Sequence, residues 1–345
     1  MKRIFLSGLL VLIFFIIIHG QAVYVDSNVG NDDNPGTEKA PLFSINKAAE
    51  IISEKNNDIF IMKINPGIYV VNKHITVFTK KYMDTERIVI EAAILPDDPK
   101  WTPEKMPILL NRSQKGDIPD DFNFISTFLI NESHVTIRGI KFPGYFYPNS
   151  KYFPVSRFNK GKTDLFVEQC LFVGDEQACP IQVGIIAHGN EINIDHCIFY
   201  NAKNAAIYWE DSGDGDKSGN SMTNCIISGA YQCAIWTAWP DKDFIFKNNI
   251  VTNCKYVWIK NKYNKAKYSI ENSIIVNNQH FTGVADNGGV IPEDFEIAMN
   301  KVILEGKISL RLIENIVNTL PIDYFHILPN TTGYNLEAGL FKHAK

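Results

Sequence analysis

Between Tyr208 and Asn220 the sequence reads YWEDSGDGDKSGN, which sets Glu210, Asp211, Asp214 and Asp216 within seven positions. Two close carboxylates are the machinery of glycoside hydrolysis, one as general acid and the other as base or nucleophile. A carboxylate beside another holds its proton more tightly, as an acid catalyst must. The same oxygens suit calcium. Asp214-Gly-Asp216-Lys-Ser218-Gly219 follows the first half of an EF-hand loop, but its twelfth position is Cys225 rather than Glu. Asp214 and Asp216 therefore read either as a calcium site of another kind or as a solvated turn.

The elements that must position these acids form a repeat. FVEQCLFVG (166–174), NIDHCIFYN (193–201), SMTNCIISG (221–229), IFKNNIVTN (245–253) and SIENSIIVN (269–277) share one frame, and VTIRGIKFPG (135–144) fits it too. Gly139, Cys170, Cys197, Cys225, Asn249 and Ser273 then align, at spacings of 31, 27, 28, 24 and 24. Each unit alternates apolar and polar residues over a few positions and ends in a turn, which is strand periodicity. One short strand cannot bury its own face, whereas stacked coils can, so the expected fold is a solenoid. The aligned small residues would form an internal ladder, with the cysteines mostly packed thiols. A second strand per coil follows about ten residues later, at Ile207, Ile235 and Ile259, with Ile185 upstream. Two or three parallel strands per coil make an all-β parallel β-helix.

Adjacent parallel strands lie about 4.8 Å apart, so the frame predicts neighbours. Glu210 falls beside His188 of the preceding coil, and Glu210 and Asp211 beside Ala238 and Trp239 of the next. Tyr208 falls beside Trp236 and then Lys260. His188, Tyr208, Glu210, Asp211, Trp236, Trp239 and Lys260 should share one patch, with Asp241 and Asp243 able to close it. Aromatic rings stack on sugar faces, and the carboxylates would cleave the glycosidic bond. The other chemistry is β-elimination from a uronic acid. That reaction needs a cation such as calcium and a base from His188, Lys260 or Lys262. A further aromatic cluster, YFYPNSKYFPVSRF (145–158), either walls a sugar groove or folds onto the solenoid as a satellite core.

Residues 23–52, VYVDSNVGNDDNPGTEKAPLFSINKAAEII, followed by INPGIYV (64–70), resemble the opening of secreted right-handed parallel β-helix proteins of the pectate lyase-like group. The matching residues are Gly30, Asp32, Asp33, Pro35, Gly36, Thr37 and Pro41. Ser44 can cap a helix over Ile45 to Glu54, whose Ile45, Ala48, Ala49 and Ile52 form an apolar face. In that group the helix plugs one end of the stack. DYFHILPNTTGYNLEAGLF (323–341) also resembles the group's ending. The resemblance implies the fold but no reaction. Polygalacturonases place Gly-His-Gly after their paired aspartates, whereas here AHG (187–189) precedes WEDSG (209–213) and WIK (258–260) lacks the arginine.

Lys2 and Arg3 precede an apolar run from Ile4 to Ile18, and Gly20-Gln21-Ala22 supplies a cleavage site. Residues 1–22 therefore read as a signal peptide for a secreted or periplasmic protein, with no lipid-anchoring cysteine. Residues 23–345 read as a single β-helix domain with no membrane span, with excursions at 78–130 and at 292–319, where FEIAMNKVILEG has helical spacing. A net charge of −4 argues against nucleic acid. The expected activity is polysaccharide cleavage by a glycoside hydrolase without a cofactor. The alternatives are a calcium-dependent lyase acting on uronic-acid polymers and a non-catalytic carbohydrate-binding protein. The expected partner is a polysaccharide or oligosaccharide, and the expected state is a monomer.

Overall fold

The computed structural model describes residues 22–54, 58–80, 86–114, 124–146, 151–210, 218–239, 244–286, 289–313 and 319–343. The segment expected to be a signal peptide lies outside them up to residue 21. The fold is an all-β parallel solenoid with one α-helix near its N-terminus. Its described strands build sheets of ten, nine and eight strands.

Each repeat contributes one strand per sheet. In one coil these are Ile192–Asp195, Ile198–Tyr200 and Asn204–Tyr208, which pair in parallel with Ser221–Thr223, Ile226–Ser228 and Cys233–Thr237 of the next. Alternation puts Ile192 and Ile194 into the core and Asn193 and Asp195 toward solvent. Between the first two strands the chain turns through one residue in the left-handed region. Gly139, Gln169, His196, Asn224, Asn248 and Asn272 hold this place, with φ between 43° and 74°. Glycine and asparagine adopt that conformation most readily. The asparagines also link coils, since Asn272 donates to Asn248 at 2.7 Å and Asn248 to Asn224 at 3.0 Å.

The internal ladder is the next residue: Ile140, Cys170, Cys197, Cys225, Asn249 and Ser273. Gly139 therefore sits in the turn, one place before the expected ladder. The Asn249 amide is fully buried: its Oδ1 accepts from the Cys225 N–H at 2.8 Å and its Nδ2 donates to the Met222 carbonyl at 2.8 Å. All six cysteines are free thiols.

Asp32 explains the N-terminal motif. Its carboxylate accepts from the backbone of Phe43 and Ser44 and from the Ser44 hydroxyl at 2.7 Å. Ser44 in turn caps the helix Ile45–Ser53, which buries Ile45, Ala48 and Ile52 against the first coils. A Cβ on Gly30 would meet the Leu42 carbonyl oxygen at 2.1 Å, so only glycine fits this crossing.

Coil strands continue through the expected excursions. Ile88–Ala92, Ile108–Asn111 and Phe124–Ile130 join the three sheets. Ile297–Asn300 is no helix but a parallel strand on Tyr268–Glu271. The chain then folds back along the outside of the eight-stranded sheet. Ile308, Phe325, Ile327 and Leu340 cover Leu171, Ile198, Ile226, Ile250 and Ile274. No helix among the described residues is long and apolar enough to cross a membrane.

Candidate functional site

The nine-stranded sheet carries the site. Ile186 pairs with Ile207, Ile207 with Trp236, and Trp236 with Ile259. The neighbours of Tyr208 are thus Ala187 and Thr237, and Thr237 leads to Lys260. The expected pairing of Tyr208 with Trp236 is one residue out. The turn between Ser228 and Cys233 is the cause, because it holds four residues where those after Tyr200 and Thr252 hold three. A one-residue slip exchanges the two faces of a strand. Tyr208 therefore faces inward, 3% exposed, with its hydroxyl donating to the Ser221 carbonyl at 2.7 Å. Trp209 takes the outer face in its place.

Outward residues of successive coils form an aromatic row. Ring centroids of Phe158 and His188 are 6.0 Å apart, those of His188 and Trp209 6.2 Å, and those of Trp209 and Trp236 6.1 Å. Asn261 holds Trp236 by accepting from its indole N–H at 3.0 Å. Phe124 and Phe153 extend the row beneath Phe158, whereas Tyr145 and Tyr152 of the same cluster are buried in the solenoid core. Trp239 stands beyond the row and is 42% exposed.

Glu210 lies two residues past the end of the strand Asn204–Tyr208, at the edge of this row. Its Oε1 lies 3.4 Å from Lys160 Nζ and its Oε2 lies 3.8 Å from His188 Nδ1. Its carbonyl accepts from the Gly189 N–H at 2.6 Å. A side chain on Gly189, at φ 88°, would strike the Lys162 carbonyl oxygen at 2.0 Å, so the backbone crossing requires glycine. Arg157 fixes the turn from within. Its fully buried guanidinium donates from Nε to the His188 carbonyl at 2.8 Å and from Nη2 to the Asn190 carbonyl at 3.0 Å. Burial lowers the Arg157 pKa to about 10, against the opposing pull of Asp164 and Glu191. Burial also depresses the His188 pKa; Glu210 opposes this, while Arg157 and Lys160 add to it. His188 is therefore a neutral imidazole at neutral pH, able to accept a proton.

His188, Glu210, Trp236 and Trp239 thus lie along one face, joined by Trp209 and Lys160, with Arg157 buried beneath it. The arginine and Lys160 carried no signal in the repeat frame: Arg157 ends the strand Lys151–Arg157 one coil before His188, and Lys160 lies in the turn after it. Lys260 lies two strands beyond Tyr208, with its ammonium 4.6 Å from the centroid of the Phe295 ring. Lys262 pairs with Asp286 at 2.7 Å. Asp211, Asp214, Asp216, Asp241 and Asp243 lie outside the described residues. Among the described residues no cluster of three or more His, Cys, Asp or Glu could hold a metal ion. Among the described residues, the crevice between Gly189, Trp209, Glu210, Asn220 and Trp239 has no room for a water molecule.

No protein-family model matches the sequence, and no curated protein sequence matches it. The fold is similar to a rhamnogalacturonan lyase at 16% identity, with a TM-score of 0.49 over 76% of this chain and 70% of that one. It is also similar to a GH136 lacto-N-biosidase from Eubacterium ramulus at 10% identity, with a TM-score of 0.42 over 83% of this chain and 68% of that one.

Proposed function

We propose that this is a secreted carbohydrate-active protein that lays an extended polysaccharide along the aromatic row and hydrolyses a glycosidic bond at Glu210. The observation that carries the reading is the row Phe158, His188, Trp209 and Trp236, spaced near 6 Å and flanked at its middle by a solvent-accessible carboxylate. The aromatic faces bind sugar rings, and the carboxyl group of Glu210 protonates the leaving oxygen. Hydrolysis needs a second carboxylate, for which Asp211, adjacent in sequence, is the first candidate. Residues 1–22 direct export.

A second reading rests on the charge around Glu210. Lys160 and a neutral His188 stand together. That pairing suits elimination from a uronic-acid polymer, with His188 taking the C5 proton and Lys160 neutralising the sugar carboxylate. Calcium held by Asp214 and Asp216 would assist.

Incubation with a panel of polysaccharides separates the readings. New reducing ends without an unsaturated chromophore are expected. A calcium-dependent chromophore selects elimination. Sugar binding with no product from any substrate overturns both and leaves a carbohydrate-binding protein.

A further inference from the structure

The two ends of the solenoid are finished differently. At the N-terminal end the helix Ile45–Ser53 buries its apolar face over the first coils. At the other end, among the described residues, Ile297–Asn300 is the edge of the ten-stranded sheet, paired on one side with Tyr268–Glu271. Its Ala298, Met299 and Asn300 are exposed. The same last coil exposes Ile291 by 52%, Met299 by 46%, Ile303 by 46% and Leu304 by 50%. An unpaired edge offers a row of free N–H and C=O groups, and proteins usually blunt it with charge, proline or a bulge. The strand Ile-Ala-Met-Asn carries neither charge nor proline.

The flanking charges are ordered. Glu293, Asp294 and Glu296 precede the strand, and Lys301 and Lys307 follow it, with Glu305 the single exception. All six are exposed. A two-fold axis at this edge makes the two copies of the strand antiparallel. Each acidic start then meets the other copy's basic end. The patch is self-complementary in hydrogen bonding, apolar surface and charge, as an isologous interface must be.

We propose that a second copy of this chain docks on this end, pairing Ile297–Asn300 with its symmetry mate to give an end-to-end dimer. The two aromatic rows then lie on one longer rod, with the coil of each Trp236 three strand spacings from the edge strand at the joint.

Sedimentation velocity of the full chain over rising concentration is the test. The expected result is a species of twice the chain mass. Glu296→Lys and Lys301→Glu singly each place like charges together twice per dimer and should weaken it roughly tenfold. The double variant Glu296→Lys/Lys301→Glu restores opposite charges and should return dimerisation to the original level. Thermal unfolding of each variant, expected unchanged, separates interface loss from misfolding. A monomer at every concentration overturns the proposal. So does a dimer that ignores both single charge reversals, because its interface is then elsewhere.

Discussion

The imidazole Nδ1 of His188 stands 3.8 Å from the carboxylate Oε2 of Glu210, across two adjacent coils. Neither side chain is placed by its own loop alone. Arg157 holds the His188 and Asn190 carbonyls from inside, and the Gly189 N–H holds the Glu210 carbonyl. Backbone pairing thus sets the distance between the two side chains.

Replacing Glu210 with Gln keeps shape and removes the acid. Turnover on the polysaccharide substrate is expected to fall at least about a hundredfold. The Glu210 side chain is 41% exposed and its ion pairs are long, at 3.4 and 3.8 Å, so the melting temperature should shift little. Reducing-end assays alongside thermal unfolding check both halves.

The aromatic row should carry affinity rather than catalysis. Trp236→Ala is expected to weaken oligosaccharide binding about tenfold, in line with the roughly 1 kcal/mol of an aromatic contact. Calorimetric titration on the inactive Glu210→Gln background measures it. Tyr208→Phe should leave binding unchanged, because Tyr208 faces inward.

His188 makes stability depend on pH. Its proton affinity in the folded protein lies below the ordinary value near 6.5, chiefly through burial. As pH falls, the unfolded chain takes up this proton first. The stabilising contribution is full above about 6.5 and is lost on acidification toward the depressed pKa. His188→Gln cannot titrate, so its urea midpoint should fall less between roughly pH 7 and pH 5 than that of the parent.

Asn249→Ala removes a buried amide that ties its coil to the preceding one, leaving the Cys225 N–H and the Met222 carbonyl without their partner. The expected loss is about 2–3 kcal/mol, read from urea unfolding. Asn249→Leu should not recover it, since it satisfies neither backbone group.

The coil repeat was legible because Cys197, Cys225, Asn249 and Ser273 occupy one constrained interior position. The helix Ile45–Ser53 was legible because Asp32 and Ser44 do capping work that few other residues do. Register in the second strand was not. One extra residue between Gly229 and Gln232 shifts Trp236 relative to Ile207, and a turn of four polar or small residues looks like a turn of three. The slip put Tyr208 on the site and hid Trp209. Gly139 misled for a related reason: it suits the left-handed turn as well as it suits a small-residue ladder. Arg157 was invisible as a site residue, since a buried cation gripping carbonyls leaves no local pattern.

The segment that folds back over the eight-stranded sheet comes off the ribosome after every coil it covers. Until Ile308 and Phe325 emerge, the strip of Leu171, Ile198, Ile226, Ile250 and Ile274 is bare. A nascent solenoid therefore holds a growing greasy seam that only this later-made segment can close, and a chain stopped before it would offer quality-control proteases an obvious handle.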